Sequence, residues 1–517
     1  MRRVAHTAEI QEIIALLNDA RSRRDGWPNT LRVDEAARLA ALLRLVPVLE
    51  LASIDWSFDY YSYPPAPADR WVRLLEKHAS LADSWAWFAI STLDRSGFVR
   101  QSAVEALGRN APVEAVPFLV LRTSDWVPQV RTIAEAVVDH CLKRFRLLDL
   151  LPALEVALQG EARVTGPRAA GARAVRERLQ AAPDEVLVAG VNHGAVRSQR
   201  WCLRELLARR SLLLPDALRV AFRSSSTVLR FEAATALGHV TTQARGELLG
   251  FALADRVGFV RRTAAETIAA TELREADLEH LLLDSNRAAR DLAQREWLRR
   301  HRASAAGWYR ERLSARRATA RAAALLGLAE VGEEDDAAEA VVRLDDPSWR
   351  VRLVALRCVS TLAPGEAEAA ALAALADSSH KVVTAAASIC VRHPSPRMQA
   401  KAEQLIFSPD GSRHRTGMRL LRAGEVAWQA EILDRLLRSG PEVQPEALAS
   451  LEKLVMRRLA GRRLPQALLD RLAAAVNACE LPPEVGERGP HADWTRRRRG
   501  ERQRDRILFG LRSGATA

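Results

Sequence analysis

A chain of 517 residues, 48% of them hydrophobic, carries too much apolar side chain to be disordered throughout, and it is long enough for two or three compact domains or one extended repeat array. Aromatic residues make up only 5% and the apolar share is carried mainly by Ala, Leu and Val, so the expected class is all-α. The formal charge of +13 brings polyanions into view as partners, although the cations are almost all Arg, with Lys only at positions 77, 143, 381, 401 and 453.

The first segment, MRRVAHTAEIQEIIALLNDA, is amphipathic rather than continuously apolar, so it does not read as a signal peptide. No uncharged run approaches the ~18 apolar residues that span a bilayer, and the expected setting is soluble and cytoplasmic, with no membrane partner. From Ser53 to Trp71 the composition changes: SIDWSFDYYSYPPAPADRW gathers Trp56, Phe58, Tyr60, Tyr61 and Tyr63, and its prolines forbid a continuous helix. Aromatic side chains with polar tips suit interfaces because they bury rigid area at low entropic cost. Two readings stand side by side here, a loop that caps the first repeat and a loop that touches a partner. Residues 1–80 are expected to form an N-terminal helical cap with this aromatic loop.

Beyond it the chain repeats itself. DRSGFVRQSAVEALG, Asp94 to Gly108, returns as DRVGFVRRTAAETIA, Asp255 to Ala269. Aligning on a Val-Arg pair with a small residue three places on gives Val99-Arg100, Val130-Arg131, Leu229-Arg230, Val260-Arg261, Ala289-Arg290, Ala320-Arg321 and Val351-Arg352, with weaker copies at Pro167-Arg168, Val196-Arg197, Val382-Val383 and His414-Arg415. Successive anchors fall mostly about 30 residues apart, the length of two short helices and two turns. Apolar residues step by four within a copy, as in Val99, Ala103 and Leu107, which sets them on one helix face. Each copy therefore reads as a helix pair whose apolar faces demand stacked neighbours.

The recurring polar residues are Asp94 with Arg100, Asp125 with Arg131, Asp255 with Arg261, Asp284 with Arg290 and Asp346 with Arg352. The Asp sits in the turn, where a carboxylate accepts backbone N–H bonds at the start of the second helix. The Arg sits about 100° around the helix from the apolar stripe, within reach of the turn of its own or the adjacent repeat. The favoured reading is a structural ladder; the competing one is a row of ligand-binding arginines.

These units resemble HEAT repeats, in the short form also found in the phycobilisome lyase family, over about Leu81 to Arg422. The resemblance implies an α-solenoid, expected over residues 81–425 as about ten repeats, that binds macromolecules along a curved surface; it does not carry lyase activity with it. Two enzymes of HEAT-like fold offer comparisons. Deoxyhypusine hydroxylase holds iron with paired His-Glu dipeptides, and this sequence has no such dipeptide. The DNA alkylation glycosylases use aromatic residues around an Asp, for which the nearest candidate is DWSFDYY, Asp55 to Tyr61, lying ahead of the repeats.

Motifs for other chemistry are lacking: there is no GxxxxGK[ST], HExxH or GxSxG. Five dispersed cysteines, Cys141, Cys202, Cys358, Cys390 and Cys479, form no CxxC pair and read as small core residues in a reducing compartment. Cys390 with His393, and His140 beside Cys141, bring no second ligand pair, so no metal or cofactor is expected. In a solenoid the second helices line the concave surface. The charged residues expected there are Arg262, Arg295 and Arg357 against Glu105, Glu266 and Asp291, a neutral balance that points to a protein partner rather than a phosphate backbone.

Residues 426–485, around AEILDRLLRSG and ALASLEKLVMRRLAG, are expected to be a C-terminal helical cap. Residues 486–517 form a basic tail with Arg496, Arg497, Arg498 and Arg499 in a row; from Arg488 to Arg512 nine Arg stand against three acidic residues. Within the tail, RILFGL is a short apolar cluster able to dock as a helix. The expected function is a noncatalytic scaffold or adaptor for another protein, in a bacterial multi-component assembly. The alternative is a nucleic-acid-binding protein that uses the Arg tail and basic patches, and a glycosylase stands third.

Overall fold

The computed structural model describes residues 7–22, 32–52, 72–73, 76–77, 83–163, 169–268, 273–458, 464–479 and 502–511. The described residues are helices joined by short turns, with no strand, and none of these helices is long and apolar enough to cross a membrane. The chain divides into two compact units, Met1–Asp277 with Asn286–Leu292, and Leu278–Ser285 with Ala293–Ala517. Each is an α-solenoid of stacked helix pairs.

One pair shows how the sequence produces the repeat. Pro117 opens the short helix Val116–Arg122, whose Val116, Phe118, Leu119 and Val120 are all buried. After the turn at Asp125, Pro128 takes the first position of Pro128–Arg144, where its missing N–H costs no helical bond. Val130, Ala134 and Val138, four residues apart, are at most 1% exposed and form the stripe on which neighbouring helices stack. Burying each Val contributes about 1.5–3 kcal/mol, and the Ala between them allows close approach. The same positions are buried as Val99, Ala103 and Leu107, as Leu229 and Ala233, as Val260 and Ala264, and as Val351, Ala355 and Val359.

Two of the weaker copies sit in a different register from the sequence reading. In the helix Val196–Ala208 the buried stripe is Ser198, Cys202 and Leu206, while Val196 is exposed. In Gly411–Leu421 the residue four places after the cap Asp410 is His414, so the frame starts one residue earlier than His414-Arg415. Pro167-Arg168 lies outside the described residues.

At the C-terminal end, the helices Val426–Ser439, Gln444–Arg458 and Gln466–Ala478 share a core of Leu433, Leu437, Leu451, Val455, Leu472 and Val476. A further helix, 502–511, inserts Ile507 and Leu511 into that core. A side chain at Gly510 would collide with Val455, so the absence of a Cβ there permits the approach. Gln503 donates to Glu452 at 2.9 Å, Arg504 donates to the Cys479 carbonyl at 2.6 Å, and Arg506 pairs with Glu452 at 3.3 Å. The stretch 486–517, read from sequence as one basic tail, thus contains a docked helical segment; Arg496 to Arg499 lie outside the described residues.

Candidate functional site

Five of the turns before second helices share one geometry. Asp125 Oδ1 accepts the Val127 N–H at 2.9 Å, and Asp94, Asp255, Asp346 and Asp377 hold the amide two residues on in the same way, at 2.7–2.8 Å. Four residues after the cap, the Arg turns back toward its own turn: Arg100 Nη1 donates to the carbonyls of Asp94 and Arg95 at 2.9 and 2.8 Å. Its other two donors point forward. Nε and Nη2 each lie 2.8 Å from the carboxylate of Asp125, in the next repeat, as a bidentate pair.

Arg230 repeats this with Asp255, Arg321 with Asp346 and Arg352 with Asp377, each across 25 residues. Arg131 and Arg261 bond the backbone carbonyls of Asp125 and Asp255 in their own turns. Asp284 and Arg290 are both buried. The acid that each bidentate Arg engages is therefore the one ahead, while its own turn supplies carbonyls.

Burial alone would push the Asp125 carboxyl up, but the Arg100 hydrogen bonds, the Val127 amide and the Arg122 charge outweigh it and hold it below its ordinary value. Asp346 is lowered in the same way, against its own burial, by Arg321 and the Ser348 amide. For Asp377 the bond from Arg352 is the largest influence and the net direction is again down. Arg122 is lowered, first by burial and then by the neighbouring Arg100, against the pull of Asp125.

Where the arginine is missing, the carboxylate ahead of it is missing too. Gln199 stands four residues after the cap Ala195, and the next turn has Ser224; Val383 stands four after Ser379, and the next turn has Ser408. Both serines keep the turn by accepting the amide two residues on, Ser226 at 3.1 Å and Asp410 at 3.3 Å. Arg290 keeps its arginine although the next turn has Ala315 in place of a carboxylate.

All five cysteines are buried. Burial pushes the Cys202 and Cys358 thiols up to about 12 and Cys390 to about 11, and raises Cys141 and Cys479, so all five remain protonated at neutral pH. His140 and His393 are exposed while the neighbouring Cys141 and Cys390 are buried, so neither pair converges on a shared site. Among the described residues no three His, Cys, Asp or Glu side chains are grouped as metal ligands.

The six charged positions expected on the second helices divide between the two units. Glu105, Arg262, Glu266 and Asp291 belong to the first, where Arg262 and Glu266 pair at 2.7 Å and Glu105 accepts from Gln101 at 2.9 Å. Arg295 and Arg357 belong to the second, and both are exposed. Summing the positions over the whole chain makes them neutral; taken unit by unit they are not. In the second unit the helices Trp349–Leu362, His380–Arg392 and Gly411–Leu421 contain no Asp or Glu at all. Sequence reasoning missed this face because it counted two positions per repeat instead of whole helices.

Trp56, Phe58, Tyr60, Tyr61 and Tyr63, with the Asp55 to Tyr61 stretch weighed for glycosylase chemistry, lie outside the described residues.

No protein-family model and no curated protein sequence matches the chain. Among solved structures it is similar to Kap121p, at 13% identity and a TM-score of 0.34, over 98% of this chain and 54% of that one. It is similar to Kap121p bound to Pho4p, at 13% identity and a TM-score of 0.32, over 91% and 54% of the two chains. A chain of the Pds5–Scc1 complex matches at 12% identity and a TM-score of 0.22, over 94% of this chain and 73% of its own. The chain spans about half the length of the Kap121p chains it resembles.

Proposed function

We propose that this chain is a noncatalytic, HEAT-like scaffold that holds another protein on the exposed faces of its second helices, as an adaptor in a multi-component assembly. One observation carries the reading: the polar chemistry that recurs from repeat to repeat is turned inward. Arg100 and Asp125 are 2% and 4% exposed and spend their donors and acceptors on each other and on turn backbone. What such a lattice supplies is a rigid stack, and rigid stacks of helix pairs present extended binding faces.

The test is affinity capture on the immobilised full chain from nuclease-treated lysate of the source cells, with cross-linking and mass spectrometry. The expected result is a protein retained in stoichiometric amount and cross-linked to second helices. If no protein is retained, while a parallel capture from lysate without nuclease retains nucleic acid at physiological salt, the phosphate-binding alternative is established instead.

A further inference from the structure

The helices Trp349–Leu362, His380–Arg392 and Gly411–Leu421 are successive second helices of the second unit. Besides Arg413, which pairs with the cap Asp410 at 3.5 Å, their exposed cations are the six Arg350, Arg357, Lys381, Arg392, Arg415 and Arg419. None of the six lies in ion-pair range of a carboxylate among the described residues, whereas Arg352, on the inner side, is bound to Asp377.

The three helices are joined edge to edge along this face. Lys381 Nζ lies 4.5 Å from the centre of the Trp349 ring, which Arg350 also approaches at 5.0 Å, and Arg419 Nη2 donates to Ser388 Oγ at 2.8 Å. Between the cations the floor is aliphatic, with Leu353 and Ala385 only partly buried. Acidic residues of the same repeats lie on the first helices, where Glu368 accepts from Ser395 and Glu403 pairs with Arg435, and in the turns, where Asp377 is bound by Arg352 and Asp410 by Arg413.

Six unneutralised cations around an aliphatic floor need an anionic occupant that also has apolar groups to bury. A nucleic-acid strand in a nonspecific groove stacks its bases on aromatic faces, but the one aromatic residue on these three helices, Trp349, is already approached by two cations. Packed helices step by about 8–10 Å, a distance that an extended peptide covers in about three residues. Two cations per helix then match an acidic residue or two in every three, with apolar residues between. Resting on the scaffold reading above, we propose that this face docks an extended acidic segment of a partner protein, with Asp or Glu side chains on the cations and small apolar side chains on the floor.

The experiment measures fluorescence anisotropy of the full chain with a labelled fifteen-residue peptide of repeating Glu-Leu-Ser, and with oligo-dT of equal length. Two variants are compared with the wild type: Arg357→Glu with Arg419→Glu on the face, and Arg109→Glu with Arg223→Glu in the first unit. The expected result is saturable peptide binding that weakens about tenfold or more in the face variant, stays unchanged in the first-unit variant, and falls with added salt.

Unchanged thermal melting of the face variant keeps the comparison valid, since both substituted side chains are exposed. Peptide binding that is absent, or equal in both variants, overturns the proposal. So does oligo-dT binding that is tighter than peptide and lost in the face variant, because the face then reads phosphate. The lysate capture repeated with the face variant separates the two claims. A protein partner retained equally by wild type and variant leaves the scaffold standing and removes this face, whereas no retained partner removes the scaffold reading itself.

Discussion

Arg100 and Asp125 place both charges out of water, and only mutual bonding makes that tolerable. The desolvation penalty for each ion is several kcal/mol, so a buried pair adds little net stability while the loss of one member is expensive. Arg100→Ala leaves Asp125 with Arg122 as its one remaining cationic partner, at 3.0 Å, and is expected to lower unfolding free energy by about 3 kcal/mol in urea titration. Arg352→Ala removes a pair with side chains 14% and 10% exposed, and a smaller loss of about 1–2 kcal/mol is expected because water reaches the orphaned Asp377. The carboxyls of Asp125, Asp336, Asp346 and Asp377 are all held below the ordinary 3.8. Protonation therefore favours the unfolded chain: their contribution is complete above pH 3.8 and is lost as pH falls through the lower folded values. Melting temperature followed from pH 7 to pH 2 should drop steeply below about pH 4. A flat profile there would show that these carboxylates are not anchored by their arginines.

Among the elements, the helix 502–511 depends on two apolar anchors, Ile507 and Leu511, while Phe509 on its outer side is exposed. Ile507→Asp places a charge in the C-terminal core and should release the segment. Limited trypsin digestion should then cleave at Arg502, Arg504 and Arg506 in the variant well before the wild type, and equal rates would show that the segment is not held by its core face. The helical repeat itself was legible in the chain because Val, Ala and Leu recur every four residues within copies about 30 residues apart. The misplaced register at Val196 has a physical reason: the true stripe begins with Ser198, a polar residue that the pattern excludes, yet its N–H and Oγ both donate to Glu155 at 2.9 and 3.0 Å. Docking of RILFGL was legible only as a capacity, since the partner surface at Val455 and Cys479 is remote in sequence. The ladder residues could be picked out, but not the direction of their bonds, because a guanidinium six residues from one Asp and 25 from the next has no preference until the helices are stacked.

For the molecule as a whole, the buried thiols divide between the units, with Cys141 and Cys202 in the first and Cys358, Cys390 and Cys479 in the second. Burial keeps all of them protonated, so reaction with a thiol reagent requires opening. Mass-spectrometric labelling across a urea gradient should show negligible native reaction, one shared midpoint for Cys141 and Cys202, and one shared midpoint for the other three. Scattered midpoints within a group would mean that a unit unfolds repeat by repeat. The cationic face escaped a reading that averaged charge along the chain; charge has to be summed over a unit, and the unit boundary is a property of packing.

The forward reach of each arginine also has a genealogical consequence. Arg321 engages Asp346 and Arg352 engages Asp377 across the same interval of 25 residues. Excising residues 322–352 would splice Arg321 onto the segment that leads, again 25 residues later, to Asp377. A crossover between equivalent points of copies that carry both the arginine and the carboxylate therefore yields a chain whose last retained arginine meets a matching acid, so such copies can be gained or dropped in one step without first inventing a compatible junction. An array joined by such directional, interchangeable links can change its length by recombination faster than it changes its surface.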